Sequence, residues 1–70
     1  MERSPVTSSN IRSIGYDPAS GTLEVEFRSG SVYQYFNVPN QIYRGLITAF
    51  SKGAFLNNFI KEQYRYRRVH

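Results

Sequence analysis

The clearest pattern in the chain is an alternation. Over residues 22–28, Leu23, Val25 and Phe27 fall on one side, and Glu24, Glu26 and Arg28 on the other. A period of two is that of a strand with one buried and one wet face. Upstream, Ile14 and Tyr16 alternate within residues 10–17 and predict a first strand. Gly15, between them, marks a bulge or a close backbone approach. The stretch Asp17-Pro18-Ala19-Ser20-Gly21 reads as a tight turn, because Pro suits its second position and Gly tolerates positive φ. Downstream, Arg28-Ser29-Gly30-Ser31 turns the chain again, and residues 31–36 make a third strand. The expected sheet is a three-stranded antiparallel meander.

Its register depends on the second turn. With Ser29-Gly30 as a two-residue loop, Phe27 pairs with Val32, and Tyr33 and Tyr35 lie beside Glu26 and Glu24. With a three-residue loop and a glycine bulge, Phe27 pairs with Ser31, and both tyrosines join Leu23, Val25 and Phe27. A one-residue slip moves the whole strand to the other face. The bulged register gathers more large rings on one side and is favoured. The rings then pack, and only their hydroxyls reach water or a partner.

After the sheet the period changes. Val38-Pro39-Asn40 ends the strands; Asn37 or Asn40 is placed to cap a helix, and Pro39 suits a first helical turn. Residues 41–50 put Ile42, Leu46, Ala49 and Phe50 on one helical stripe, with Tyr43 and Ile47 beside it. Gly45 weakens this helix by up to about 1 kcal/mol relative to Ala. Ser51-Lys52-Gly53 breaks it. A second helix is predicted over residues 54–64, with Phe55, Leu56, Phe59, Ile60 and Tyr64 as its apolar stripe and Asn57, Asn58, Lys61 and Glu62 on its wet side. Residues 65–70 read as a frayed end or a short extended tail. Residues 1–9, polar and with Pro5, read as a flexible segment or an edge lead-in. The predicted fold class is α+β: the meander followed by two short C-terminal helices packed on one face.

Seventy residues make one small domain, and a chain of this size buries only about 60% of its unfolded surface. It has no cysteine, and its one histidine is His70, so neither a disulfide nor a histidine metal cage stabilises it. Eleven aromatic residues, six Tyr and five Phe, must carry the core, or a dimer must help. No apolar run approaches the length of a membrane span, and no signal sequence opens the chain, so a cytoplasmic protein is expected. Starting at Met1 and ending soon after the second predicted helix, the chain has the form expected of a complete small protein.

Candidate chemistry is sparse. Glu24 and Glu26 are the only closely paired carboxylates, and a solvated sheet face accounts for them. The serines have no base partner except a terminal His70, and the glycines are isolated, so neither a catalytic triad nor a phosphate loop is present. No enzyme activity, cofactor or metal is expected.

The charge is more informative. Net charge is +4, and most of the nine cations are arginine. Lys61, Arg65 and Arg68 form one stripe if the second helix continues, with Arg67 and His70 beside it and Tyr64 and Tyr66 interleaved. Charge for phosphates and flat rings for bases are what single-stranded nucleic acid requires. Lys52 and Arg44 are further phosphate candidates. The opposing reading is a solvated C-terminus with Tyr64 in the core. A helix-turn-helix reading of residues 40–64 is weaker, because both aromatic stripes are accounted for as core.

The string Ile14-Gly15-Tyr16-Asp17, Leu23-Glu24-Val25-Glu26-Phe27, Gly30, Tyr33-Gln34-Tyr35, Val38-Pro39, then Ala49, Ser51, Gly53, Phe55, Asn57, Ile60 and Tyr64, resembles the KTSC domain. That family is named for the lysyl-tRNA synthetase C-terminal domain. The likeness runs from about Val6 to Val69, so residues 10–70 read as a single KTSC-like domain. It implies an association with RNA, tRNA or a single strand, because some members are fused to a tRNA synthetase. It implies no defined chemistry. The family positions fall on Tyr33, Tyr35, Val38, Pro39, Ser51, Gly53, Phe55 and Asn57. Ser51 is read as a helix cap, Gly53 as a positive-φ position, and Asn57 as either a buried hydrogen-bonding residue or a ligand contact. One departure is Phe50, where the family pattern has proline; it puts apolar bulk at the bend and points to a structural role there. The alternative to RNA is a protein-interaction or structural module, pairing with a protein partner or with itself through an open sheet edge or uncovered aromatics.

Overall fold

The computed structural model describes all residues from Met1 to His70. Five strands and two helices follow in the order β1 (Ser4–Pro5), β2 (Ile11–Asp17), β3 (Thr22–Phe27), β4 (Val32–Tyr35), α1 (Asn40–Thr48), α2 (Lys52–Phe59) and β5 (Tyr66–Arg68). The strands form one sheet in chain order, β1-β2-β3-β4-β5, and every neighbouring pair is antiparallel. The predicted meander is β2-β3-β4. Two short edge strands extend it, β1 from the N-terminal lead-in and β5 from the expected tail. Strands of two and three residues are too short to show a period, and are recruited by the free backbone groups of the strand beside them.

The turns follow their residues. Gly21 takes φ +74° and donates to the Asp17 carbonyl at 2.8 Å, and the Asp17 carboxylate accepts from the Ala19 amide and the Ser20 hydroxyl. At the second turn Gly30 has φ +99°, and the Phe27 amide donates to the Ser31 carbonyl at 2.8 Å. This is the bulged register: Val25 stands opposite Tyr33, and Leu23 opposite Tyr35. Tyr33 and Tyr35 therefore share a face with Leu23 and Val25. The bulge in β2 lies between Ile11 and Ser13 and brings both Ile11 and Ile14 inward. Gly15 is not the bulge but the close approach: a Cβ there would collide with the Glu2 carbonyl and touch the Arg3 side chain.

The core is one cluster in which Ile11, Ile14, Leu23, Val25 and Tyr35 of the sheet meet Val38, Leu46, Leu56 and Ile60. Tyr16 and Tyr43 stack at 4.4 Å, joining sheet to α1, and the Tyr16 hydroxyl donates to the Val38 carbonyl at 2.6 Å. Gly45 supplies the gap into which the Phe55 ring packs, so the helix-weakening glycine is the contact point between α1 and α2.

Several expectations change at the helix ends. The residue before α1 is Pro39, with no side-chain cap, while Asn37 takes a left-handed φ of +58° instead of capping. Helix α1 stops at Thr48 because Ala49 is extended, with ψ 141°. Phe50 thus leaves the helical face and is fully exposed, not core. Ser51 does cap α2, its hydroxyl accepting from the Ala54 amide at 3.3 Å. Gly53 is an ordinary helical residue without positive φ. Helix α2 ends at Phe59 rather than at residue 64, and Phe59 is exposed while Leu56 and Ile60 remain buried.

Candidate nucleic-acid interface

Alternation along β4 sends Tyr33 and Tyr35 to the helix side of the sheet. Pairing with β5 sets Tyr66 opposite Tyr35 and Arg68 opposite Tyr33, on the same side. The ring centroids of Tyr66 lie 5.7 Å from Tyr33 and 6.0 Å from Tyr35. Phe27 meets Tyr33 edge-on at 5.8 Å. These rings form one wall of an open cleft of about 530 Å³. The facing wall comes from α2 and the turn after it: Leu56, Asn57, Lys61 and Glu62, with Ser29 and Ser31 of the hairpin at one end. A cleft with aromatic sides and a few polar groups has the dimensions of a small-ligand or single-base site.

Tyr35 is the floor. It is 3% exposed, and burial, reinforced by the neighbouring Tyr33 and Tyr66 phenols, pushes its pKa up to about 12. A phenol so placed stays protonated near neutrality. Tyr66, by contrast, is 59% exposed.

The predicted cation stripe does not form, because α2 ends before Lys61 and the last residues are a strand. The structure divides the candidates instead. Lys61 lines the cleft, and Arg68 lies on the cleft side of β5, its Nε donating to the His70 carbonyl at 2.9 Å. Arg65 and Arg67 line a second, shallower hollow of about 340 Å³ with Phe36, Asn37 and Tyr66. Tyr66 is the ridge between the two hollows. Arg44 projects from α1, and Lys52 at the start of α2 donates to the Ala49 carbonyl at 3.3 Å; neither lines the cleft. Asn57 is exposed on the cleft wall, which removes the buried hydrogen-bonding reading. Asn57 and Lys61 look onto the sheet tyrosines, whereas a groove-reading helix would present its polar side away from the domain.

The carboxylates do not neutralise these cations. The ion pairs are those of Arg3 with Glu24 and Glu26, so every other Lys and Arg is free of a carboxylate partner. Glu24 and Glu26 are not the solvated face expected of them. Since Gly15 has no side chain, the Glu2–Arg3 backbone crosses the outer sheet face there. Arg3 donates from Nε to Ser13 Oγ at 2.9 Å and from Nη1 to Glu24; Gln34 donates to Glu24 Oε1 at 2.8 Å; Ser13 donates to Glu26 Oε1 at 2.8 Å. Glu24 is left 6% exposed. Burial by itself would raise its pKa, but the Gln34 and Arg3 hydrogen bonds and the Arg3 charge outweigh burial and hold the carboxyl below its ordinary value. This carboxylate pair is therefore committed to holding the N-terminal segment.

Sequence reasoning left residues 65–70 as a frayed end or a short extended tail; the extended alternative holds, as β5, but its pairing with β4 and the resulting division of the arginines were missed. It also missed the cleft role of Glu62. The signal was present in the placement of Tyr66 and Arg68 two apart, which is a strand alternation as well as part of a helical stripe.

Comparison with known proteins agrees with this architecture. The KTSC domain model matches residues 7–64. An uncharacterized protein of Stutzerimonas stutzeri is 46% identical over 70 residues and matches along 99% of both chains. A lysine–tRNA ligase of Nostoc is 43% identical over 59 residues, which are 84% of this chain but 10% of the ligase. The crystal structure of a KTSC domain protein from Yersinia pestis superposes with a TM-score of 0.95 at 42% identity, covering 99% of this chain and 97% of the other. From the meander to the end of the second helix, the chain belongs to the KTSC domain family.

Proposed function

We propose that this domain binds single-stranded RNA, such as an unpaired segment of a tRNA, in the cleft between β4, β5 and α2. The observation that carries the reading is the tyrosine wall sharing a cleft with an unpaired lysine: Tyr66 and Tyr33 supply stacking surfaces, Lys61 supplies charge in the cleft, and Arg68 adds charge on the adjoining sheet face, neither cation in an ion pair with a carboxylate. Stacked rings and unpaired cations serve the two halves of a nucleotide. The likeness to a segment of a lysine–tRNA ligase supports the same class of partner. The domain acts by binding and performs no catalytic step. No helix is long and apolar enough to cross a membrane.

The test is an amide NMR titration with tRNA and with a short single strand, at low and at physiological salt. Shifts confined to Tyr33, Tyr35, Asn57–Glu62 and Tyr66–Arg68 that persist at physiological salt are expected. Tyr66→Ala should cost about 1–3 kcal/mol of binding, the worth of one stacked base. Lys61→Ala should weaken all strands alike and reduce the salt slope by about one. Shifts that vanish with salt, or their absence even at low salt, refute the reading.

A second reading has one observation in its favour. Phe50 is fully exposed at the elbow between the helices, with Phe59 and Ile47 also exposed, which suits contact with a protein or another copy. Sedimentation of wild type and Phe50→Ser decides it: self-association abolished by the substitution supports this reading, and a wild-type monomer removes the homodimer.

A further inference from the structure

The cleft that faces the tyrosines contains a group that phosphate binding does not account for. Glu62 follows Lys61 in the turn after α2 and lines the cleft beside Asn57. It makes no ion pair with Lys61 or with any other cation, and it is exposed. Near a phosphate path a free carboxylate opposes binding, since it repels the ligand at the distance where Lys61 attracts it. Against the edge of a base its effect is reversed. A carboxylate only accepts hydrogen bonds, and its two oxygens take two parallel N–H groups.

The bases differ in what they offer to such a group. Guanine presents N1–H and the N2 amino group side by side on its Watson–Crick edge. Adenine and cytosine each present a single amino group there, next to an acceptor nitrogen that a carboxylate repels. Uracil presents one N–H between two acceptor oxygens. Unstacked bases in single strands are read on this edge while their faces lie on aromatic rings. Tyr66 and Glu62 border the same cleft, so a base stacked on Tyr66 brings its edge into the space that Glu62 lines. Asn57, near the end of α2 and lining the same cleft, adds an amide that can donate to guanine O6 or accept from an amino group.

We propose that Glu62, assisted by Asn57, makes the cleft selective for guanine among the four bases of a single strand; this rests on the RNA-binding reading above. Glu62 is then a specificity-determining residue and Lys61 an affinity residue, adjacent in the chain and opposite in effect.

The experiment measures binding of four labelled pentanucleotides by fluorescence anisotropy at physiological salt. Each is a uridine strand whose central base is G, A, C or U. The expected result is a preference for the G strand on the order of tenfold or more, the discrimination of a good bidentate pair. In Glu62→Gln the preference should disappear while the all-uridine strand binds as well as before, or slightly better because a negative charge has gone. Glu62 is exposed, so this variant folds as the wild type does. A carboxylate that acts only through its charge would shift all four strands equally in Glu62→Gln, and that outcome overturns the proposal. Equal binding of the four strands by the wild type overturns it too, and leaves RNA binding standing. Failure of every strand to bind overturns both readings.

Discussion

Arg3→Ala tests the network on the outer sheet face. Removing one partner of a fully buried ion pair costs about 3–5 kcal/mol, mostly because a charge is left buried and alone. Here the Arg3 side chain is 28% exposed and the Glu24 side chain 8%. Gln34 continues to donate to Glu24 in the variant. Partial solvation and the remaining hydrogen bond reduce the loss to about 1–2 kcal/mol. For a domain of this size that is a fall in Tm of about 5–15 °C.

The pH dependence makes the prediction specific. In the wild type the folded Glu24 carboxyl lies below its ordinary value of 4.5. Its stabilisation is fully present above that value and is lost as pH falls through the lower folded value. Without Arg3, the upward push of burial is opposed mainly by Gln34, so the variant's folded carboxyl protonates at higher pH. The stability gap between wild type and variant is therefore widest near neutrality and closes as the solution is acidified below about pH 4. Urea unfolding followed by circular dichroism at neutral and acid pH measures the gap, with an unchanged slope confirming that the same surface unfolds. A neutral-pH gap under about 0.5 kcal/mol, no larger than an ordinary surface substitution, refutes the reasoning. So does a gap that stays constant or widens on acidification.

Three further outcomes follow from the packing. Gly45→Ala gains up to about 1 kcal/mol of helix propensity, yet the new Cβ would lie 2.5 Å from the Phe55 ring, so chemical denaturation should show net destabilisation, relieved in the double variant with Phe55→Leu. Phe50→Ser should change stability by less than about 0.5 kcal/mol despite the size of the ring removed, because that ring is fully exposed; a larger loss on thermal unfolding would place Phe50 in the core after all. The Tyr35 phenol, raised from 10.0 to about 12, favours the fold fully below pH 10 and progressively less as pH rises toward 12. An ultraviolet titration should show one phenol ionising last, and Tyr35→Phe should remove that step.

The central fold was legible because its physics is local. Leu23, Val25 and Phe27 alternate with charges, and Gly30 can take the positive φ that sets the hairpin register. Helix limits were less legible. Residues 41–50 continue a helical period, but Ala49 turns extended, and two residues of difference carry Phe50 from the core to solvent. The outer strands had little local signature: residues 65–70 read only as a frayed end or a short extended tail, and residues 1–9 as a flexible segment or an edge lead-in. Ser4–Pro5 is a strand only because β2 offers it an edge, and Tyr66–Arg68 only because β4 does. The burial of Glu24 depends on residues 2 and 3 crossing Gly15, a contact that the glycine announces without naming its partner. At the cleft, the shared sheet face of Tyr33 and Tyr35 was legible from their alternation. The arginines were gathered correctly in sequence and separated in space, because a strand sends neighbours to opposite faces where a helix would have aligned every fourth.

Tyr66 stands on a three-residue strand at the edge of the sheet, close to the end of the chain. Short terminal strands open and close far more often than the body of a domain. Whenever β5 lifts away, the cleft loses one side and Tyr35 loses its cover, so under the proposed RNA-binding function the binding-competent population would be the fraction of molecules with the last strand docked. Apparent affinity falls in proportion to that fraction. On that proposal a bound strand would in turn hold β5 down and slow amide exchange at residues 66–68. Occupancy and C-terminal order would then be one equilibrium observed from two ends, and a change that strengthens β5 without touching the cleft would tighten binding.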